Sequence, residues 1–81
     1  MITNSKEKII KEIAKNDLEK VVLSLRIWRD QILIDMRINY KSKEGEWLNT
    51  KKGVSLPVGD YKELKEGILA LESEIENFEL G

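Results

Sequence analysis

The sequence predicts an α+β fold, in which a four-stranded antiparallel meander is followed by a long C-terminal helix and preceded by a short N-terminal one. Two patterns predict it: apolar residues alternate with period two between residues 20 and 40, and an unbroken 3,4 spacing runs from Tyr61 to Phe78. With 81 residues and no cysteine, the chain is one small domain without disulfides. A partner chain is therefore the expected source of further stability.

The N-terminal segment, residues 1–17, is predicted to be a helical extension of a single domain that occupies residues 18–81. Asn4 and Glu7 have the spacing of a capping pair, and the apolar stripe of a helix over residues 5–16 follows, formed by Ile9, Ile10, Ile13 and Ala14. This helix either covers one end of the core or contacts a partner as an arm. The opening residues are too polar for a signal peptide, and no run approaches the ~20 apolar residues of a membrane span, so we expect a cytoplasmic protein.

The first predicted hairpin has strands at residues 20–28 and 32–40, joined at Arg29-Asp30. In the first strand the residues of one face are aliphatic, and the other face carries Val22, Ser24, Arg26 and Trp28. The second strand alternates in the same way, with Ile32, Ile34, Met36 and Ile38 on one face. After a polar turn in KSKEGE, the stretch WLNTKKGVSL is interpreted as two short strands around Lys51–Gly53.

The C-terminal helix is predicted from a heptad-type stripe that we call the helix seam, which consists of Tyr61, Leu64, Ile68, Leu71, Ile75 and Phe78. A helix of roughly 20 residues spans about 30 Å, which is more than short strands are expected to cover. The seam therefore predicts a homodimer paired through this helix. The alternative is a seam that is covered entirely by its own sheet.

Composition argues against catalysis. The chain has no histidine and no cysteine, which removes the commonest general base and the thiol nucleophile. Asp35, Glu44 and Glu46 are candidates for paired catalytic carboxylates or ligands of a hard metal ion. However, Glu44 and Glu46 lie in a predicted turn, where acidic residues are ordinary surface. We therefore expect no enzyme activity, cofactor, metal or small-molecule substrate.

Charge is distributed unevenly, although the net charge is −1. Residues 1–52 hold 12 Lys and Arg against 8 Asp and Glu, whereas residues 53–81 hold 2 against 7. A basic surface is therefore compatible with the neutral average.

The candidate functional residues are aromatic and basic side chains on the outward face of the meander. Across the first hairpin these are Arg26, Trp28, Arg29 and Arg37, followed by Tyr40 and Lys41; the second hairpin adds Trp47, Lys51 and Lys52. Unpaired bases need an aromatic face on which to stack, and their phosphates need cations nearby. This pattern favours a single-stranded nucleic acid, because a duplex hides its base faces.

Blander interpretations stay open on the residues alone. Either tryptophan could cap the core, and strict alternation places Tyr40 with the aliphatic residues. Arg26 and Arg37 could only form cross-strand pairs with Asp35 or Glu19. A dimeric module that binds a protein through the same face is the alternative function.

The ordered fragments LSLRIW, ILIDMR, EGEW, KKGVSL and LKEGI resemble the positive cofactor four-type transcriptional coactivators over about Leu23 to Ile75. The resemblance implies a curved four-stranded sheet and a homodimer paired through the helix, binding single-stranded or melted DNA with little sequence preference. It places Trp28 and Tyr40 at stacking positions, which favours exposure of Tyr40. It also implies that the cations tracking the phosphates are Arg26, Arg29, Arg37, Lys51 and Lys52.

The sequence departs from the family pattern in places. Asp30 and Gln31 stand where the family tends to have glycine and lysine, and Leu48 replaces a frequent cation, so weaker or more salt-sensitive binding is expected. Trp47 replaces an aliphatic residue. A short predicted helix stands where eukaryotic members carry a serine-rich regulatory tail. These features favour a prokaryotic or phage protein acting in transcription, replication or repair.

Overall fold

The computed structural model describes residues 6–78, which form one antiparallel sheet and a C-terminal helix. The sheet has the order β1-β2-β3-β4, and the elements are β1 (Glu7–Ala14), β2 (Glu19–Trp28), β3 (Gln31–Lys41), β4 (Trp47–Pro57), a 3₁₀ turn (Val58–Asp60) and α1 (Tyr61–Asn77). The four-stranded antiparallel sheet and the C-terminal helix confirm that part of the predicted fold. Among the described residues, no helix is long and apolar enough to cross a membrane.

The predicted N-terminal helix is wrong, because residues 7–14 form strand β1 and pair with β2 in the same sheet. Asn16 and Asp17 are a turn rather than a helix end. The Asn16 side chain accepts a hydrogen bond from the Leu18 amide at 2.9 Å, and the Lys15 amide donates to the Glu19 carbonyl at 3.0 Å. Backbone pairing with β2 therefore outweighs the helical pattern, whose proposed cap Asn4 lies outside the described residues.

The β2–β3 hairpin agrees with the predicted alternation. Its strands pair without interruption from Glu19–Tyr40 to Trp28–Gln31. Arg29 and Asp30 have φ angles of 51° and 62°, so both residues of the loop are left-handed, as in type I′ turns. This turn suits the twist of the strands, although neither residue is the usual asparagine or glycine.

The interpretation of WLNTKKGVSL as two strands is also wrong. These residues belong to the single strand β4, and the pairing with β3 shifts register between Arg37–Gly53 and Asn39–Asn49. Residues 50–52 therefore bulge opposite Ile38. Gly53 follows the bulge where β4 approaches β3 closely, and a side chain there would clash with the Met36 carbonyl oxygen.

The register divides the sheet into two surfaces. We call one the basic face; it carries Lys20, Arg26, Trp28, Arg37 and Lys41 among its residues. We call the other the aliphatic face; it carries Leu23, Leu25, Ile34, Met36 and Val54. The only buried apolar side chains within residues 6–78 are Val22 on the basic face and Ile34 on the aliphatic face.

Helix α1 leaves the single chain without a second layer. None of its residues is buried, and it contacts mainly the preceding 3₁₀ turn. The radius of gyration is 15.5 Å, whereas a compact chain of this length has one of about 12 Å. The helix seam and the aliphatic face are thus both largely uncovered.

Candidate nucleic-acid interface

Trp28 and Arg29 form an exposed pair at the tip of the β2–β3 hairpin. The side chain of Trp28 ends strand β2 on the basic face and is 55% exposed, so it does not cap a core in the single chain. The guanidinium carbon of Arg29 lies 4.5 Å from the centre of the Trp28 ring, which is a cation–π contact. The tip therefore presents an exposed aromatic ring with a positive charge over it.

Asp35 is a buried carboxylate in the middle of the basic face, and three strands contribute to its surroundings. Arg37 of the same strand donates to it through Nε at 3.1 Å and Nη2 at 2.8 Å, and Ser55 of β4 donates through Oγ. Arg26 of β2 is more distant, with Nη1 3.9 Å from Oδ2. Asp35 itself is only 2% exposed.

These contacts determine the charge states of the cluster. Burial raises the pKa of Asp35, but hydrogen bonds from Arg37 and Ser55 and the charges of Arg37 and Arg26 outweigh it and hold the pKa below its ordinary value. The hydrogen bonds to Asp35 likewise raise the pKa of Arg37. Both groups are therefore ionised at neutral pH.

The β4 bulge presents Lys51 and Lys52 as exposed cations at the edge of the sheet. Thr50 fixes its geometry: Oγ1 donates to the Ile38 carbonyl at 2.6 Å and accepts from the Lys52 amide at 3.1 Å. Arg37 also reaches the bulge, because its Nη1 donates to the Thr50 carbonyl at 3.2 Å. The bulge is thus connected directly to the Asp35 cluster.

Trp47 lies at the opposite end of the basic face from Trp28. The Nζ atom of Lys20 is 4.5 Å from the centre of the Trp47 ring and 2.8 Å from the Glu12 carboxylate, while Lys41 is the register partner of Trp47. Ten residues of β3 separate the partners of the two tryptophans, Gln31 and Lys41, which corresponds to about 33 Å along an extended strand. The two rings therefore cannot hold the same base.

Comparison with protein families gives a match over residues 15–67, to the model described as Transcriptional Coactivator p15 (PC4). The chain belongs to the PC4 family. This is a family of DNA-binding, non-enzymatic coactivators. The matched segment contains β2, β3, β4 and the first part of α1, whereas β1 lies before it.

Solved structures of PC4 homologues share the fold. BPSL1147, a PC4 homologue from Burkholderia pseudomallei K96243, has a TM-score of 0.73 and 22% identity, covering 80% of this chain and 88% of its own. The bacteriophage T5 homologue of PC4, described as implicated in recombination-dependent DNA replication, has a TM-score of 0.66 and 22% identity, covering 91% of this chain and 83% of its own. Comparison with curated proteins gives no match.

Tyr40 is separated from Trp28 and Arg37, because it lies on the other face of the sheet. It is 43% exposed, but its register partners Glu19 and Leu48 place it on the aliphatic face, opposite to Trp28 and Arg37. The exposure agrees with the expectation drawn from the PC4 resemblance. Its position on the aliphatic face agrees with strict period-two alternation along β3.

Two residues of the basic face differ from what the sequence indicated, since Lys20 was not named and the surroundings of Asp35 were not foreseen. Lys20 shares the alternation of Arg26 and Trp28, so the period-two pattern already contained the signal for it. Asp35 was offered as a paired carboxylate, a metal ligand or a cross-strand partner of Arg26 or Arg37, whereas its main partner is Arg37, two residues along the same strand. An i, i+2 pair on one face follows from the same pleat.

Proposed function

We propose that this chain is a homodimeric, non-enzymatic protein that binds single-stranded DNA with little dependence on sequence. The observation that carries the proposal is the exposed ring of Trp28 beside Arg29 at the tip of the basic face. Each base stacked on an aromatic side chain contributes roughly 1–3 kcal/mol, and every base has a face to stack. Such binding tolerates sequence but requires unpaired bases.

Phosphates are held in this proposal by the cations around the aromatic residues. Arg26 and Arg29 lie near Trp28, and Lys51 and Lys52 lie on the bulge, with Lys41 beside Trp47 as a further contact. Arg37 belongs to the same set, although its side chain is only 20% exposed and already bonded to Asp35. Binding is therefore expected to weaken as salt rises.

Two more aromatic residues are included as secondary platforms. Trp47 is 39% exposed and carries Lys20 on its ring, which suits a base stacked at the far end of the basic face. Tyr40 is supported by the family resemblance and its exposure. Because it lies on the aliphatic face, a strand that reaches it has to pass over the edge of the sheet.

The proposed dimer follows from the apolar surface that one chain leaves open. Ile68, Leu71 and Ile75 of the helix seam are each more than half exposed, and Val54 of the aliphatic face is too. Stable domains bury such surfaces between two layers. A second copy supplies the missing layer by pairing its helix with this one.

The cellular role we propose is the handling of exposed single strands during transcription, replication or repair in a prokaryote or phage. The bacterial and phage structures that share the fold support this setting. The protein would act in the cytoplasm or on the nucleoid. Melted duplex and RNA are the related ligands that the same chemistry would accept.

Replacing Trp28 tests the stacking contact. Trp28→Ala is expected to weaken binding of a fluorescent oligothymidine, measured by anisotropy, by about 1–3 kcal/mol, or roughly 5- to 150-fold. Leu69→Ala is the control, since Leu69 is exposed on α1 outside the helix seam.

Equal affinities of Trp28→Ala and wild type would contradict the stacking role. If Trp28→Ala leaves DNA binding unchanged but abolishes binding to a protein ligand, the basic face is a protein-interaction surface instead.

A further inference from the structure

The Asp35 carboxylate is a negative charge in the centre of a surface that would attract phosphates. Electrostatics alone makes a carboxylate unfavourable there, because its negative charge repels the negative phosphates of the ligand. A buried ion is also costly unless it is paired and hydrogen-bonded. Asp35 nevertheless lies almost fully buried between Arg37 and Ser55, with Arg26 nearby.

Arg37 transmits the position of Asp35 to the β4 bulge. Two of its nitrogens bind Asp35, and the third, Nη1, donates to the Thr50 carbonyl. Thr50 in turn bonds both the Ile38 carbonyl and the Lys52 amide. A continuous chain of hydrogen bonds thus runs from the buried carboxylate to the backbone that carries Lys51 and Lys52.

The space around this chain restricts other arrangements. The ideal Cβ position on Gly53 lies 2.9 Å from the Arg37 Cα atom, so β4 is held against β3 directly after the bulge. The planar guanidinium of Arg37 binds the carboxylate in a fixed two-point geometry. Without Asp35, this arginine would lose the partner that orients it toward Thr50.

We propose that Asp35 is a positioning residue for single-strand binding, which orients Arg37 and, through Thr50, holds the bulge lysines at the spacing that phosphates require. This inference rests on the proposed function. Preorganised groups lose less conformational freedom when a ligand binds, so a repulsive charge that orders several cations raises the affinity. Asp35 acts through other residues and does not contact the strand.

Two isosteric substitutions, Asp35→Asn and Glu7→Gln, distinguish a positioning role from simple electrostatics. Each of them removes one negative charge from the basic face. In Asp35→Asn, the neutral amide is a weaker hydrogen-bond acceptor for Arg37 than the carboxylate is. In the matched control Glu7→Gln, an oxygen remains for the bond from Ser24, which Glu7 accepts at 3.1 Å. Simple electrostatics predicts tighter oligothymidine binding for both variants.

If Asp35 is a positioning residue, the two variants should differ in their affinity for oligothymidine. Asp35→Asn is expected to bind oligothymidine about tenfold more weakly than wild type, because a buried charge pair is broken. Its salt slope should be shallower by roughly 0.7 for each phosphate that the variant no longer neutralises. Glu7→Gln should bind as tightly as wild type or more tightly.

A further variant keeps the test decisive if Asp35→Asn does not fold, which circular dichroism would show. Thr50→Val removes the hydroxyl that fixes the bulge and leaves every charge in place, and it is expected to bind several-fold more weakly. Replacing Lys51 and Lys52 by alanine should then cost less affinity in the Thr50→Val background than in wild type.

The positioning role is overturned if Asp35→Asn binds as tightly as Glu7→Gln, or, where Asp35→Asn does not fold, if Thr50→Val binds as tightly as wild type. A wild type that binds no oligothymidine overturns both this inference and the proposed function. A wild type that binds, together with unaffected variants, overturns the positioning role alone.

Discussion

Asp35 contributes both to the stability of the fold and to the proposed binding surface. Its carboxylate receives hydrogen bonds from Arg37 and Ser55, so the network links β3 to β4 in a chain with little buried apolar surface. Buried polar groups that are fully paired make a structure more rigid, whereas leaving one unpaired is costly. Both the fold and the basic face should therefore respond to the ionisation of this one group.

The lowered pKa of Asp35 predicts a loss of stability in acid. Because the folded-state pKa lies below the unfolded one, the carboxylate stabilises the protein fully above about pH 4 and stops doing so as the pH falls through the folded-state value. Urea unfolding at one protein concentration should show the wild type losing stability more steeply than Asp35→Asn as the pH falls below about 4. Parallel losses in the two proteins would contradict the assignment.

The faces of individual residues were predicted correctly where the prediction relied only on the alternation of side chains along a strand. Arg26, Trp28 and Arg37 were placed on one face by alternation, and the β2–β3 register confirms this. The hydrogen bonds of Arg37 were not predictable in the same way, because its contact with Thr50 depends on the register shift in β4. Sequence spacing does not specify a shift of this kind.

At the level of elements, β1 shows why periodicity misled. Ile9, Ile10 and Ile13 have helical spacing, but a register shift between Ile9 and Lys11 in the pairing with β2 breaks strand alternation at that point. A bulge of this kind gives the apolar residues of a strand a spacing that resembles the spacing in a helix. The Asn16-Asp17 pair between two β-branched runs was the available signal for a hairpin.

The close approach of β4 to β3 predicts an intolerance of side chains at Gly53. Gly53→Ala would push a methyl group against Met36 and Arg37, so we expect a loss of about 1–3 kcal/mol in unfolding free energy. Gly59→Ala is the control, since a Cβ there meets nothing within 4 Å. Equal stabilities in urea unfolding would show that the strands separate more easily than the structure implies.

At the level of the whole molecule, a single sheet with a projecting helix is an incomplete domain. The seam predicted from the 3,4 spacing lies on α1 except for Phe78, which follows the helix in an extended conformation, and it is largely exposed, because the helix does not fold back on its own sheet. The length of the helix was predictable from the sequence. Its direction relative to the sheet was not, because it depends on the turn at Val58–Asp60.

The proposed dimer predicts a difference between two adjacent helix positions. Ile68→Glu places a charge in the helix seam and should yield monomers in sedimentation equilibrium at concentrations where the wild type is a dimer, because a buried unpaired charge is strongly unfavourable. Leu69→Glu, one position outside the seam, should remain dimeric. A wild type that stays monomeric at high micromolar concentration refutes helix pairing.

We propose above all that the basic face recognises unpaired bases together with their phosphates. The most direct measurement is a titration of one fluorescent oligothymidine and one duplex of equal length, each at two salt concentrations. We predict tighter binding of the single strand at both, with a log–log salt slope of about 0.7 for each phosphate neutralised. Equal affinity for the two ligands, or no detectable binding to either, would contradict the claim.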